Sequence, residues 1–130
     1  MGNSCVLRLG HVVFDEITFQ REGFKADSDL NLEFSFNFEP EEGGNFIARV
    51  RVVGNKANEY RFVVQASGYF NTIESSEDGQ MIMYQNAVAI IFPYIRSQIT
   101  LLTAQPGIDP VVLQPFNIAQ MVEDAMKKAK

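Results

Sequence analysis

The sequence predicts an α+β fold, a four-stranded antiparallel sheet followed by helices packed on one face. Three observations carry this prediction. Apolar and polar residues alternate with a period of two through the first half of the chain. Short Gly- and Asn-rich segments separate the alternating runs, and beyond about residue 80 the apolar spacing becomes helical.

The clearest strand sets Leu30, Leu32, Phe34, Phe36 and Phe38 against Asn31, Glu33, Ser35, Asn37 and Glu39. Such alternation marks a strand with one wet face. Phe46, Ala48, Val50 and Val52 form a second run, with Arg49 and Arg51 pointing the other way. Tyr60, Phe62, Val64 and Ala66 form a third against Glu59, Arg61 and Gln65. The segments 41–45 and 54–58 are turns, too short for anything but antiparallel neighbours. A longer first strand runs from Val6 to Gln20. Its apolar parity changes between Leu9 and Val12, and again before Ile17, which predicts bulges or bends.

The segment 75–79 is a polar loop, and Met81 to Phe92 is apolar nearly all round, as expected of a segment buried on several sides. Pro93 is a poor interior helix residue and a good first one. A break is therefore expected before it, with a helix from Pro93 to about Ala104 that places Ile95, Ile99 and Leu102 on one face. Gln105-Pro106-Gly107 ends that helix, and residues 110–115 form an extended connector. Asn117 and Gln120 have capping-box spacing before a last helix, whose stripe is Ile118, Met121, Val122, Ala125 and Met126. Lys127, Lys128 and Lys130 suit the negative end of that helix.

The 130 residues, 46% of them hydrophobic, fit one domain over 1–130 with a real core. Eleven Lys and Arg are scattered against sixteen Asp and Glu, a net charge of -5, which argues against nucleic-acid binding. Cys5 is the only cysteine, so there is no internal disulfide. No basic run leads into an apolar one at the N-terminus, and Val6 stands where an acylation signal needs Ser or Thr. The longest apolar run, 81–92, is interrupted by Gln85 and Asn86 and is too short to span a bilayer. The expected address is the cytoplasm, without membrane insertion.

No catalytic set assembles. His11 is the only histidine, and Cys5 lies six residues from it on the same predicted strand, about 20 Å along an extended chain. Glu41-Glu42 and Glu77-Asp78 lie in turns, Asp15-Glu16 in a strand, and Gly43-Gly44 lacks the Lys-Ser or Lys-Thr of a phosphate loop. The expectation is no enzyme, no cofactor and no metal. A small-molecule carrier would need convergent polar groups in an apolar pocket, and few candidates exist. Eleven Phe and four Tyr exceed what one small core needs, which points to a subunit interface or an apolar groove.

Ile91-Phe92-Pro93-Tyr94-Ile95-Arg96 and, downstream, Pro115-Phe116-Asn117-Ile118 resemble motifs of the SecB export-chaperone family. Glu16-Ile17-Thr18-Phe19 and Gly68-Tyr69-Phe70 resemble the ends of that family's first and fourth strands. The likeness runs from about Val6 to Met126. It implies a homotetramer, a dimer of dimers, that holds non-native polypeptides in apolar grooves without nucleotide or metal. On this chain the groove would be lined by Phe24 in the first crossover, Phe34 and Phe36 on the second strand, and Ile118, Met121 and Val122 on the last helix. The oligomer interface would draw on Tyr94, Ile95, Ile99 and Leu102. Phe and Met suit adaptable apolar binding.

The resemblance also implies docking onto the SecA motor through acids on the exposed sheet face. Glu16 matches one such position, but Val63 stands where another acid is expected, Arg61 replaces an apolar neighbour, and Gln20 replaces a further acid. Ser28 stands where a Trp is common, and the chain closes on lysines instead of an acidic tail. Fewer carboxylates weaken attraction to a basic partner. The resemblance therefore implies a holdase for export with weak SecA binding, or a chaperone dedicated to one client, such as an antitoxin, without SecA delivery. A purely structural oligomeric subunit is the remaining alternative.

Overall fold

The computed structural model describes residues 7–72 and 79–128. Cys5, Lys130 and all of the 75–79 loop except Gly79 lie outside them. The elements are β1 (Leu7–Arg21), β2 (Leu30–Pro40), a single 3-10 turn (Glu42–Gly44), β3 (Asn45–Lys56), β4 (Tyr60–Thr72), α1 (Gln80–Thr103) and α2 (Ile118–Lys128). The strands form one antiparallel sheet in the order β1-β4-β3-β2. Residues 22–29 make the crossover that carries the chain from β1 to the far edge.

The β2–β3 and β3–β4 ladders run without a register shift. The β1–β4 ladder slips twice, between Leu9 and His11 and between Phe14 and Glu16. These are the two parity changes read from the sequence, and the extra residues are Gly10 and Asp15. Each bulge moves the strand's apolar set by one position. Leu9, Val12, Phe14, Ile17 and Phe19 thereby stay opposite Phe70, Gly68, Ala66, Val64 and Phe62.

The core lies between the inner sheet face and α1. Phe46, Val50, Val52, Phe62, Val64 and Phe70 meet Tyr84, Val88, Ile91, Phe92, Ile95 and Ile99. The helical residues recur at steps of three and four, a single stripe facing the sheet. Gly68 permits the close approach of α1: a Cβ there would stand 2.9 Å from Cδ1 of Ile91 and 2.6 Å from the Phe70 ring.

The break expected before Pro93 is absent. α1 runs unbroken for 24 residues, about 36 Å, with Pro93 inside it. The apolar stripe continues across the proline from Val88, Ile91 and Phe92 to Ile95 and Ile99. Both Pro93 and Ala89, whose carbonyl loses its N–H partner, lie on the exposed side of the helix, where water can satisfy that carbonyl. Packing of the stripe outweighs the local cost of proline, about 3 kcal/mol.

After α1 the chain is extended but pinned. Thr100 Oγ1 donates to the Val111 carbonyl at 2.8 Å, and the Val111 amide donates to Thr103 Oγ1 at 2.8 Å. Ile108 and Leu113 of this connector are buried. Asn117 caps α2, its Oδ1 accepting from the Gln120 amide at 3.1 Å, while its carbonyl accepts the first helical bond from Met121.

Phe92 is fully buried beneath both Phe34 and Phe116. Truncation of Phe92 to alanine is expected to cost about 3–5 kcal/mol, the range for a buried aromatic, read as a lowered urea midpoint. An unchanged midpoint would contradict this packing.

Candidate functional site

α1 packs over β3 and β4, and α2 packs against α1 and β2. Three rings converge on the β2 side: Phe34 of β2, Phe92 of α1 and Phe116 of the connector. Their centroids lie 6.1 Å apart for Phe34–Phe92, 5.3 Å for Phe34–Phe116 and 5.9 Å for Phe92–Phe116. Gln85 Nε2 donates to the Ala119 carbonyl at 3.0 Å and fixes the start of α2 on α1. Phe34, Phe36, Ile118 and Met121 are half-buried on this flank. Val122 is fully buried and serves as support beneath the surface. Phe116 was not expected as a site residue, although it stands in the Pro115–Ile118 motif. Arg96 places its guanidinium 5.7 Å from the Phe92 ring centre, and its Nε is buried without a hydrogen-bond partner.

Phe24 is not part of this cluster. It sits on the crossover, 72% exposed, with the Arg21 guanidinium 5.4 Å from its ring centre and its edge toward Gly107 of the connector. The crossover docks on the β3–β4 turn, where Lys56 pairs with Leu30. Phe34 lies four residues farther along β2, about 13 Å away at strand rise. The set expected to line one groove therefore divides into a ring-clustered flank and a separate aromatic at the end of the sheet.

Glu59 holds that end together, and it is only 2% exposed. Its carbonyl accepts the Glu22 and Gly23 amides at 2.8 and 3.1 Å. Its Oε1 accepts the Ala26 amide at 3.0 Å and Lys56 Nζ at 2.7 Å. The hydrogen bond from Lys56, and then that from the Ala26 amide, hold the Glu59 carboxyl below its ordinary range. The same bond to Glu59 raises the Lys56 ammonium. Ser28 Oγ donates to the Ala57 carbonyl at 2.6 Å, a further tie between crossover and turn.

The four residues expected at an oligomer interface also separate. Ile95 and Ile99 are fully buried within the protomer, out of reach of a partner. Leu102 is half-buried against the core. Tyr94 is exposed on the opposite side of α1, with Ile90 and Leu101. Phe14, Pro93, Tyr94, Ser97, Gln98 and Leu101 line a shallow cavity of about 300 Å³ between β1 and α1. Leu9 and Ile17 of β1 are exposed nearby in sequence.

The outer sheet face is polar and internally paired. Arg51 Nη1 donates to Glu16 Oε1 and to Gln65 Oε1, each at 2.9 Å. Arg49 Nη1 donates to Glu39 at 2.8 Å and to Asn37 at 3.2 Å. Asp15, swung onto β4 by its bulge, accepts from Ser67 Oγ at 2.5 Å and Gln65 Nε2 at 3.2 Å. Of the expected docking positions, Glu16 is thus committed to Arg51 and Arg61 is exposed. Val63, between Thr18 and Val53, is only 3% exposed and is not a surface residue.

Among the described residues no three His, Cys, Asp or Glu gather in a metal-holding group. His11 stacks on Tyr69 with centroids 4.4 Å apart, and Cys5 lies outside the described residues. Likewise, no helix among the described residues is long and apolar enough to cross a membrane.

The family model described as Preprotein translocase subunit SecB matches residues 15–129. The chain belongs to the SecB family. SecB-family proteins are chaperones and not enzymes. An uncharacterized protein of Methanocaldococcus jannaschii is 26% identical over 129 residues, covering 91% of this chain and 83% of the relative. The SecB fold recurs in a Mycobacterium tuberculosis SecB-like chaperone solved with a peptide of the HigA1 antitoxin, at TM-score 0.70 and 12% identity over 85% of this chain and 88% of that one. A Streptococcus agalactiae protein of unknown function matches at TM-score 0.57 and 10% identity, over 87% of this chain and 99% of that one.

A carboxyl held low adds stability above its ordinary range and loses it as pH falls through the lowered value. A raised ammonium does the opposite, its contribution fading as pH rises through the raised value. The Glu59–Lys56 contribution is therefore expected to be constant near neutrality and to vanish in acid. A carbon NMR titration of the Glu59 carboxyl should give a midpoint below that of glutamate in an unstructured peptide. A midpoint at or above it would contradict the Glu59 geometry.

Proposed function

We propose that this SecB-family protein is a holdase that keeps unfolded or precursor polypeptides from aggregating before export, gripping them on the β2–α2 flank and on Phe24. The observation that carries the reading is a half-buried apolar strip, Phe34, Phe36, Phe116, Ile118 and Met121, backed by the buried Phe92 and Val122, with a separate exposed phenylalanine, Phe24, at the end of the sheet. Apolar contacts lack direction, and Met adapts to many partners, so such a strip suits clients that share no sequence. Binding lowers the concentration of free unfolded chain by mass action.

We further propose a homotetramer, assembled through the exposed side of α1 and the inner face of β1. Tyr94, Leu101, Ile90 and Phe14 supply apolar area there that the protomer leaves uncovered. The cytoplasm is the compartment in which such a holdase would meet precursors.

A second reading is favoured by the outer sheet face. Glu16 is engaged by Arg51, Val63 is covered, and Arg61 adds a positive charge, so few free carboxylates remain to attract a basic partner. A chaperone dedicated to one client needs no motor, and the structurally similar mycobacterial chaperone was solved with an antitoxin peptide.

Light-scattering mass and aggregation suppression on one sample test the proposal. The wild type should run as a tetramer and suppress aggregation of an unfolded protein. Tyr94→Asp with Leu101→Asp should lower the mass, since a buried unpaired charge is costly. An unaltered tetramer would remove that interface. Ile118→Asp with Met121→Asp should weaken client binding by roughly tenfold or more, as for interface anchors, and full retention would remove the flank. SecA should bind weakly, so tight binding in physiological salt would favour export over the dedicated-client reading.

A further inference from the structure

Phe24 poses a physical problem. It is a large apolar side chain, 72% exposed, on a segment outside the sheet. A freely moving loop would lose conformational entropy on holding a client and so grip it weakly. The crossover is not built that way. Residues 22, 23 and 26 all donate their amides to one residue, Glu59, through its carbonyl and its Oε1.

Three further observations fit a fixed mount. Gly23 lies so close to the β3–β4 turn that a Cβ would stand 2.1 Å from the Asn58 carbonyl oxygen. Asn58 holds φ at 69°, a left-handed conformation that Asn tolerates and that brings the next residue, Glu59, back toward the crossover. Arg21 Nε donates to the Gly23 carbonyl at 3.0 Å while its guanidinium stands over the Phe24 ring. Lys56 takes no part in holding the crossover directly. It bonds Glu59 Oε1, the oxygen that receives the Ala26 amide.

We infer that Glu59 is the positioning residue for Phe24: by gathering the crossover amides it presents the ring as a preorganised anchor for an apolar side chain of an unfolded polypeptide. Glu59 itself is covered and meets no client. This inference rests on the holdase reading above.

The test is a double-mutant cycle between Glu59→Ala and Phe24→Ala, with binding of fluorescein-labelled, reduced and carboxymethylated lactalbumin as the readout. Circular dichroism and light scattering select folded variants of unchanged mass. Phe24→Ala is expected to weaken binding roughly tenfold, and Glu59→Ala by about fivefold, typical of anchor and near-anchor losses. The double variant should bind no more weakly than Phe24→Ala alone, because both changes remove one correctly placed ring. Glu59→Gln keeps an acceptor for the Ala26 amide and should bind nearly as well as wild type. Gly23→Ala, which leaves Glu59 in place but obstructs docking, should reproduce the loss. Amide exchange at Ala26 should accelerate in Glu59→Ala.

Additive losses in the cycle, an Ala26 exchange rate unmoved by Glu59→Ala, or a Glu59→Gln protein as weak as Glu59→Ala would each overturn the inference. If the wild type fails to bind the lactalbumin chain, the holdase reading falls and this inference falls with it. If the wild type binds and the cycle is additive, only the inference falls.

Discussion

The architecture depends on one mismatch of widths. Four strands spaced about 4.8 Å apart present an inner face of roughly 15–20 Å, while a helix with its side chains is about 10–12 Å across. α1 therefore covers β3 and β4, and its stripe from Tyr84 to Thr103 buries their inward residues completely. Two flanks remain. On the β2 side the connector and α2 complete the cover, bringing Phe116 against Phe34 and Phe92. On the β1 side no element among the described residues does the same: Phe14 stays exposed beside Tyr94 and Leu101, and Leu9 and Ile17 of the same strand are exposed as well. The proposed grip and the proposed self-association face are the two margins left by one narrow helix.

Much of this was legible in the sequence because the sheet writes its faces directly into alternate residues. The alternation of Leu30 to Phe38 and of Phe46 to Val52 matches the ladder between β2 and β3. Even the slips in β1 were readable, since each bulge reverses the parity of the apolar positions that follow it. Pro93 was misread because a local rule competes with a long-range one, and the rule that won, burial of the stripe on both sides of it, is visible only once the sheet beneath is known. Ile95 and Ile99 illustrate a different limit. Periodicity tells which residues share a side of a helix, but not whether that side meets its own sheet or another molecule. The Phe24 set divided for a third reason: the crossover's landing point is fixed by the hydrogen bonds of Glu59, and a buried glutamate in a turn looks like any solvated one in sequence.

The polar face of the sheet has its own logic. Arg49 and Arg51 lie side by side on β3, between acids on both edge strands, Glu39 on β2 and Asp15 and Glu16 on β1. Exposed pairs of this kind contribute about 0.2–1 kcal/mol each, so their main effect is on the field the face projects. Carboxylates that would otherwise make it acidic are matched locally, and a basic partner meets a nearly neutral surface.

β1 has a further consequence for a protein with an open sheet edge. An open strand border with evenly spaced main-chain donors and acceptors invites endless stacking of like strands, the geometry of a fibre. Gly10 and Asp15 interrupt that even spacing twice within fifteen residues. Whatever meets this border must match two local kinks or stop, so the strand resists extension into a continuous ladder of like strands.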